Sequence, residues 1–239
     1  MAAAADFLTA AVIIGAVAYG LMVGAEPDVT ASSSAYRQVS VYRQAAAENF
    51  KQLKNRTKLT LDESAIIRDL QEQYPEITGG VVDLRIIGHT PTIRLDIAAP
   101  SFMLNSQGEE YIINSRGVAA ARRSELPHIK NLLTIHDESG FNISQGQQIL
   151  AASEVDFIET LLQQSRRAKV PISILTLPPR AMELDVRTAD AGYYTKFYLG
   201  GDALVQTGQF LAARRQFDRT SKKPAIYLDV RVPGKIYYK

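Results

Sequence analysis

The sequence predicts an α+β protein in three parts: a single N-terminal transmembrane helix, a small α/β domain with its helices on one face of a sheet, and a β-rich domain with an antiparallel sheet and two helices. Three observations predict it. Residues 7–25 (FLTAAVIIGAVAYGLMVGA) carry no charge, whereas everything after Glu26 is mixed. Between Tyr36 and Leu70 apolar residues recur every three or four positions, and after Gly79-Gly80 they alternate. From Pro100 onward, short alternating runs separated by turn residues are interrupted by only two long helical stripes.

As a helix, the first run covers about 30 Å, the thickness of a bilayer core. A buried core helix is usually shorter and amphipathic, and a signal peptide has a basic start and a shorter apolar region, although Val23-Gly24-Ala25 is an acceptable cleavage site. A membrane anchor fits best. Residues 1–6 (MAAAAD), read as a short cytoplasmic start, hold no Lys or Arg, so the positive-inside rule is silent. Long domains translocate largely regardless of charge, so the rest is expected outside the cytoplasm. Residues 26–35 (EPDVTASSSA) read as a juxtamembrane linker.

The first domain is expected over residues 36–99. A helix from Tyr36 to about Arg56 has the stripe Val39, Tyr42, Ala46, Phe50 and Leu53, which suits packing on its own domain better than a short coiled coil. Thr60-Leu61-Asp62-Glu63 reads as a capping box opening a helix through Leu70, with Tyr74-Pro75 as its stop. VVDLRII (81–87) and TIRLDIA (92–98) then form a hairpin across Gly88-His89-Thr90-Pro91.

The second domain is expected over residues 100–239. SFML, EEYIIN and VAAAR form a meander turned at Asn105–Gly108 and Ser115–Gly117, followed by the strand LLTIH (132–136). Ser153 is expected to cap a helix carrying Val155, Ile158, Leu161 and Leu162. PISILTL (171–177), AMELDVR (181–187) and YYTKFYLG (193–200) add strands. Asp202 caps a last helix with the stripe Leu204, Val205, Gly208, Leu211 and Ala212 and the basic end Arg214-Arg215. AIYLDVR (225–231) and KIYYK close the chain. The pattern apolar-Asp-apolar-Arg recurs at residues 82–85, 184–187 and 228–231, with Asp and Arg on one strand face; in the first two it reads as a solvated ion pair.

Composition narrows the chemistry. The 239 residues include no Cys, which excludes disulfides, thiolate catalysis and cysteine-bound metal. With 27 Lys+Arg against 25 Asp+Glu and no basic stripe, no nucleic-acid partner is expected. Phosphate-loop, dinucleotide, zincin and nucleophile-elbow motifs are missing. His89, His128 and His136 match no metal spacing and read as turn or surface residues. Glu109-Glu110 and Asp137-Glu138 are not placed for acid/base work. No catalytic residue, metal site or cofactor is therefore expected. What remains is a sheet edge able to accept a partner strand, and Tyr227 to Tyr238, strand-forming and rich in tyrosine, is the best candidate.

The order of these parts, ending in IYLDVRVPGKIYY, resembles the FtsQ/DivIB bacterial cell-division family over roughly residues 60–239. In that family a cytoplasmic tail and single span precede a POTRA domain and a β domain whose final strands carry a tyrosine, an apolar residue and Asp-apolar-Arg before a turn. Tyr227, Leu228, Asp229, Val230 and Arg231 match that run, and Gly234 falls in the turn. Ala99-Pro100-Ser101 and Tyr111–Val118 stand where the family has a proline-led strand and a D-x-x-G hairpin, with Asn114 in place of Asp. The chain departs from the pattern in lacking a basic tail, in having Ala98-Ala99 for Glu-Arg, and in having the helix from Tyr36 before or instead of the first POTRA strand.

The resemblance implies a POTRA-like domain at 36–99, a β domain at 100–239, and a non-enzymatic, membrane-anchored divisome scaffold. It further implies FtsB-like and FtsL-like single-pass division proteins as partners, contact with the bilayer through residues 7–25, and residence at the inner membrane of the division septum. The docking segment is expected at Val232, Gly234, Lys235, Ile236, Tyr237 and Tyr238, supported by Tyr227, Asp229 and Arg231. The competing expectation is an anchored extracytoplasmic enzyme or envelope-polymer binding protein with a pocket between the two domains.

Overall fold

The computed structural model describes residues 2–85, 88–179 and 182–239, with side chains from Phe7 onward. Ile86 and Ile87 of the expected hairpin and Ala181 of AMELDVR lie outside the described residues, as does Met1. The chain divides into two compact units, Met1–Ala98 and Ala99–Lys239. The α+β class stands, but two parts of the expected architecture do not: the transmembrane helix and the antiparallel sheet.

In the first unit, α1 (Ala2–Gly20) takes in Asp6 and ends before the apolar run does. Met22 instead bridges Thr57, Val23 is buried with its N–H donating to the Arg56 carbonyl at 2.9 Å, and the Gly24 N–H donates to the His89 carbonyl at 2.7 Å. The charge-free part of the helix, residues 7–20, covers about 21 Å, against about 30 Å for a bilayer core. Among the described residues, no helix is long and apolar enough to cross a membrane. The expected span at 7–25 is therefore corrected: after Gly20, Leu21 to Gly24 make backbone hydrogen bonds inside the unit.

The supposed linker contains β1 (Asp28–Ala31), so a strand does precede the helix from Tyr36. Then follow α2 (Val39–Lys51), α3 (Glu63–Gln73), β2 (Ile77–Asp83) and β3 (Thr92–Ile97). The sheet order is β1-β3-β2, with β3 parallel to β1 and antiparallel to β2. Alternation along β3 buries Ile93, Leu95 and Ile97, which share the core with Tyr42, Ala46 and Phe50 of α2 and Ile66 and Leu70 of α3. The cap of α3 is Asp62, whose carboxylate accepts the Ala65 N–H at 2.9 Å; Thr60 pairs with the Thr57 hydroxyl instead. Leu53 leaves the predicted stripe because extended backbone at Gln52 ends α2.

The second unit holds one nine-stranded sheet. Its strands are β4 (Pro100–Ser106), β5 (Glu109–Asn114), β6 (Ala119–Arg122), β7 (Thr134–Asp137), β8 (Ile172–Leu177), β9 (Glu183–Thr188), β10 (Tyr194–Tyr198), β11 (Tyr227–Asp229) and β12 (Tyr237–Tyr238). The order is β12-β11-β10-β9-β8-β7-β4-β5-β6. Antiparallel hairpins join β4-β5-β6 and β8-β9-β10, while β4-β7, β7-β8 and β10-β11 pair in parallel. The sheet is thus mixed. The reason lies in α4 (Ala152–Arg167) and α5 (Ala203–Thr220), which carry the chain from β7 to β8 and from β10 to β11. A crossover of that length returns the next strand parallel to the last.

Both helices bury one side in a single core. Val155, Ile158 and Leu161 of α4 and Phe210, Ala213 and Phe217 of α5 meet Ile135, Leu175, Leu184, Val186, Phe197 and Leu228 from the strands. Ser153 lies inside the first turn of α4, and the Glu154 carboxylate accepts the Ala151 N–H at 2.7 Å. At the turn between β5 and β6, Gly117 has φ +80° and a Cβ there would meet the Leu150 carbonyl oxygen at 2.0 Å, so only glycine fits.

Candidate functional site

The C-terminal segment is built from β11 outward. β11 pairs with β10, Tyr194 beside Tyr227 and Lys196 beside Asp229, and β12 adds antiparallel to it as the sheet's last strand. The Lys239 N–H donates to the Tyr227 carbonyl at 3.1 Å and the Tyr227 N–H to the Lys239 carbonyl at 3.4 Å. Because antiparallel pairs alternate, the next pair, Leu228 with Tyr238, is non-hydrogen-bonded, and the Tyr238 N–H and C=O point to the outer edge.

Side chains alternate with the backbone. Tyr237 lies opposite Asp229 on the polar face, whereas the Tyr238 ring meets Phe217 of α5 edge-on at 5.3 Å. Both tyrosines, with Val232 and Ile236, are exposed. Gly234 turns the chain at φ +73°. Gln209 of α5 clasps that turn: its Nε2 donates to the carbonyls of Val232 (3.1 Å) and Lys235 (2.9 Å), and its Oε1 accepts the Gly234 N–H at 3.2 Å. The helical pattern of α5 contained no signal for this role.

Behind the edge lies an ionic knot. Arg231 donates from Nε and Nη2 to Asp229 at 2.9 and 2.6 Å and from Nη1 to Glu183 at 2.6 Å. Lys196 donates to the other Glu183 oxygen at 3.1 Å, with its ammonium 5.5 and 5.4 Å from the ring centres of Tyr194 and Tyr227. Burial alone would raise the Asp229 pKa, but the hydrogen bonds and charge of Arg231 outweigh it and hold the carboxyl below its ordinary value. Burial likewise disfavours the Lys196 ammonium, and Glu183 more than offsets it, so that pKa rises. Glu183, 5% exposed, was missed in the sequence because it stands one residue outside the Asp-apolar-Arg pattern.

The repeated pattern resolves differently in each copy. Asp229 and Arg231 pair directly. Arg187 instead lies over the Tyr194 ring at 5.2 Å, and burial pushes Asp185 up to about 6 against the pull of Lys196. The expected solvated pair at 184–187 is thus a half-buried acid beside a stacked guanidinium. Asp83 ends β2, with Arg85 beyond the strand.

His89 Nδ1 lies 2.8 Å from the Met22 carbonyl oxygen in the first unit; in the second, His136 is on β7 and His128 in the loop after β6. Among the described residues, no group of three or more His, Asp and Glu side chains is placed to hold a metal ion.

The arrangement can present a strand edge whose position is held by Gln209 and the Arg231 knot, with one tyrosine on each face. No protein-family model matches this chain, and no curated protein matches it.

Proposed function

We propose that this protein is a non-enzymatic scaffold that docks a partner segment by strand addition along β12, and that its setting is the bacterial division machinery. The observation that carries the docking reading is the outward-facing backbone of Tyr238 on the last strand of a nine-stranded sheet. Backbone pairing supplies affinity in such an addition, and alternate side chains supply selectivity. Tyrosines offer broad contact at low conformational cost.

The divisome setting is supported by the match of Tyr227–Arg231 and Gly234 to the terminal run of the FtsQ/DivIB family. On that resemblance the partners are FtsB-like and FtsL-like proteins, met at the septum on the outer side of the inner membrane. The docking role requires no membrane-crossing helix in this chain.

The test measures binding of the full chain to soluble FtsB-like and FtsL-like domains by calorimetry. Tyr238→Pro removes one outward N–H at an edge where proline is tolerated, so it should weaken binding about tenfold or more with an unchanged melting curve. Tyr238→Ala isolates the ring contribution. Unchanged affinity after deletion of residues 235–239, in a chain that still folds, would overturn the docking assignment.

A further inference from the structure

A second feature of the Ala99–Lys239 unit shares Glu183 with the ionic knot but does not depend on the reading of the β12 edge. At the carboxyl ends of the parallel strands β7 and β8, beside the first turn of α4, lies a cavity of about 470 Å³. Its size is that of small-molecule sites, and crevices outside the carboxyl ends of parallel strands are where sheets of this kind hold ligands. Phe141, Leu177, Pro178, Pro179, Met182 and Leu199 form part of its apolar wall. The two prolines fix their own φ, and Met182, held at φ +59°, accepts the Leu199 N–H at its carbonyl at 2.8 Å and lies against Tyr198.

The polar side of the cavity is acidic. Among the described residues, its lining holds Asp137, Glu154 and Glu183 and no Lys or Arg. Two of these charges are already engaged, Glu183 by Lys196 and Arg231, and Glu154 by the backbone N–H at the start of α4. Asp137, the last residue of β7, accepts from neutral donors, the Ser106 hydroxyl at 2.7 Å and the Ser139 N–H at 3.0 Å. These bonds fix the orientation of the carboxylate, and among the described residues no cation pairs with it.

We infer that this cavity binds a small organic amine, with the ammonium against Asp137 and an apolar body against the Pro178, Pro179 and Met182 wall. An ammonium meets a fixed carboxylate in a charge-assisted hydrogen bond, and the body leaves water for an apolar surface.

The probe is 4-phenylbutylammonium, compared with its neutral isostere 4-phenylbutan-1-ol, on the full chain labelled with ¹³C at methionine methyls. The chain has four Met, so Met182 is assigned by Met182→Leu, and Met22 and Met103 serve as internal controls. A saturable shift confined to Met182 is expected, with the amine binding about tenfold tighter than the alcohol. Asp137→Asn keeps groups able to pair with Ser106 and Ser139, so it should retain alcohol binding and lose the preference for the amine. Absence of a saturable Met182 shift, equal binding of amine and alcohol by the unaltered chain, or an undiminished preference in Asp137→Asn would each overturn the inference.

Discussion

Asp185 shows how one carboxyl can make stability depend on pH. It faces Lys196 on β10 and Thr176 on β8, with Glu183 and Arg187 on its own strand and Arg231 beyond, and one of its oxygens is buried without a hydrogen-bond partner. Its pKa is about 6 in the fold against an ordinary 3.8, so between those values the folded state binds a proton that the unfolded chain does not. Stability from this group therefore falls as pH rises from about 4 to 6 and is constant above. Denaturant titrations at pH 4.5 and 7 should show this dependence shrink by roughly 1–2 kcal/mol in Asp185→Asn, the full shift being discounted for partial exposure. Asp229 acts with the opposite sign: its lowered pKa contributes stability at neutral pH that is lost on acidification through that pKa. A single strand pattern, apolar-Asp-apolar-Arg, thus holds carboxyls of opposite tendency. The residue types were legible, but the direction of each shift was not: burial prevails at Asp185 against the pull of Lys196, whereas the hydrogen bonds of Arg231 prevail over burial at Asp229.

The helix α5 shows the corresponding limit for an element. Its existence and its Asp202 cap, which accepts the Val205 N–H at 2.9 Å, were readable from local chemistry. Its buried face was not. Leu204 and Val205 of the predicted stripe are exposed, and the helix instead buries Gln206, Thr207, Phe210, Ala213 and Phe217. Two phenylalanines bury more area than the aliphatic stripe offers. Gln206 is drawn inward because its amide oxygen accepts the Tyr198 N–H at 2.9 Å and its nitrogen donates to the Tyr198 carbonyl at 2.8 Å, extending the edge of β10. Hydropathy counts glutamine as polar and cannot register a bonded pair of that kind. Gln206→Leu should cost about 2–3 kcal/mol by removing the partner of the Tyr198 N–H, whereas Leu204→Ala should cost under about 0.5 kcal/mol. Equal losses in urea unfolding would contradict the observed rotation of the helix.

Across the whole molecule, the decisive correction is the parallel pairing. Helices between strand runs were visible after Ser153 and after Asp202, and each, α4 and α5, is a crossover. Reading the strands as successive hairpins placed the same elements in an antiparallel sheet. The mixed order puts β10 between β9 and β11 and seats Phe197 at the centre of the core, 6.2 Å from Phe157 and 5.6 Å from Phe210 between ring centres. Phe197→Ala should therefore lower stability by about 3–5 kcal/mol, measured by thermal unfolding. The apolar run at the N-terminus carries the same lesson. Composition alone made residues 7–25 one span, and tertiary hydrogen bonds at Val23 and Gly24 divided it.

By itself the sequence determined what is local: turns at Gly117 and Gly234, the cap at Asp202, the meander from Pro100 and the strand character of Tyr227–Asp229. These follow from backbone preferences and from short-range periodicity, which a window of a few residues contains. Only the tertiary structure decided that β10 and β11 run parallel, that Gln209 of α5 bonds to the backbone of Val232 and Lys235, and that Glu183 joins Arg231 and Lys196. Each of these depends on which segments meet across long separations. That choice is set by the summed burial and hydrogen bonding of the whole core, to which no single segment's pattern is sensitive.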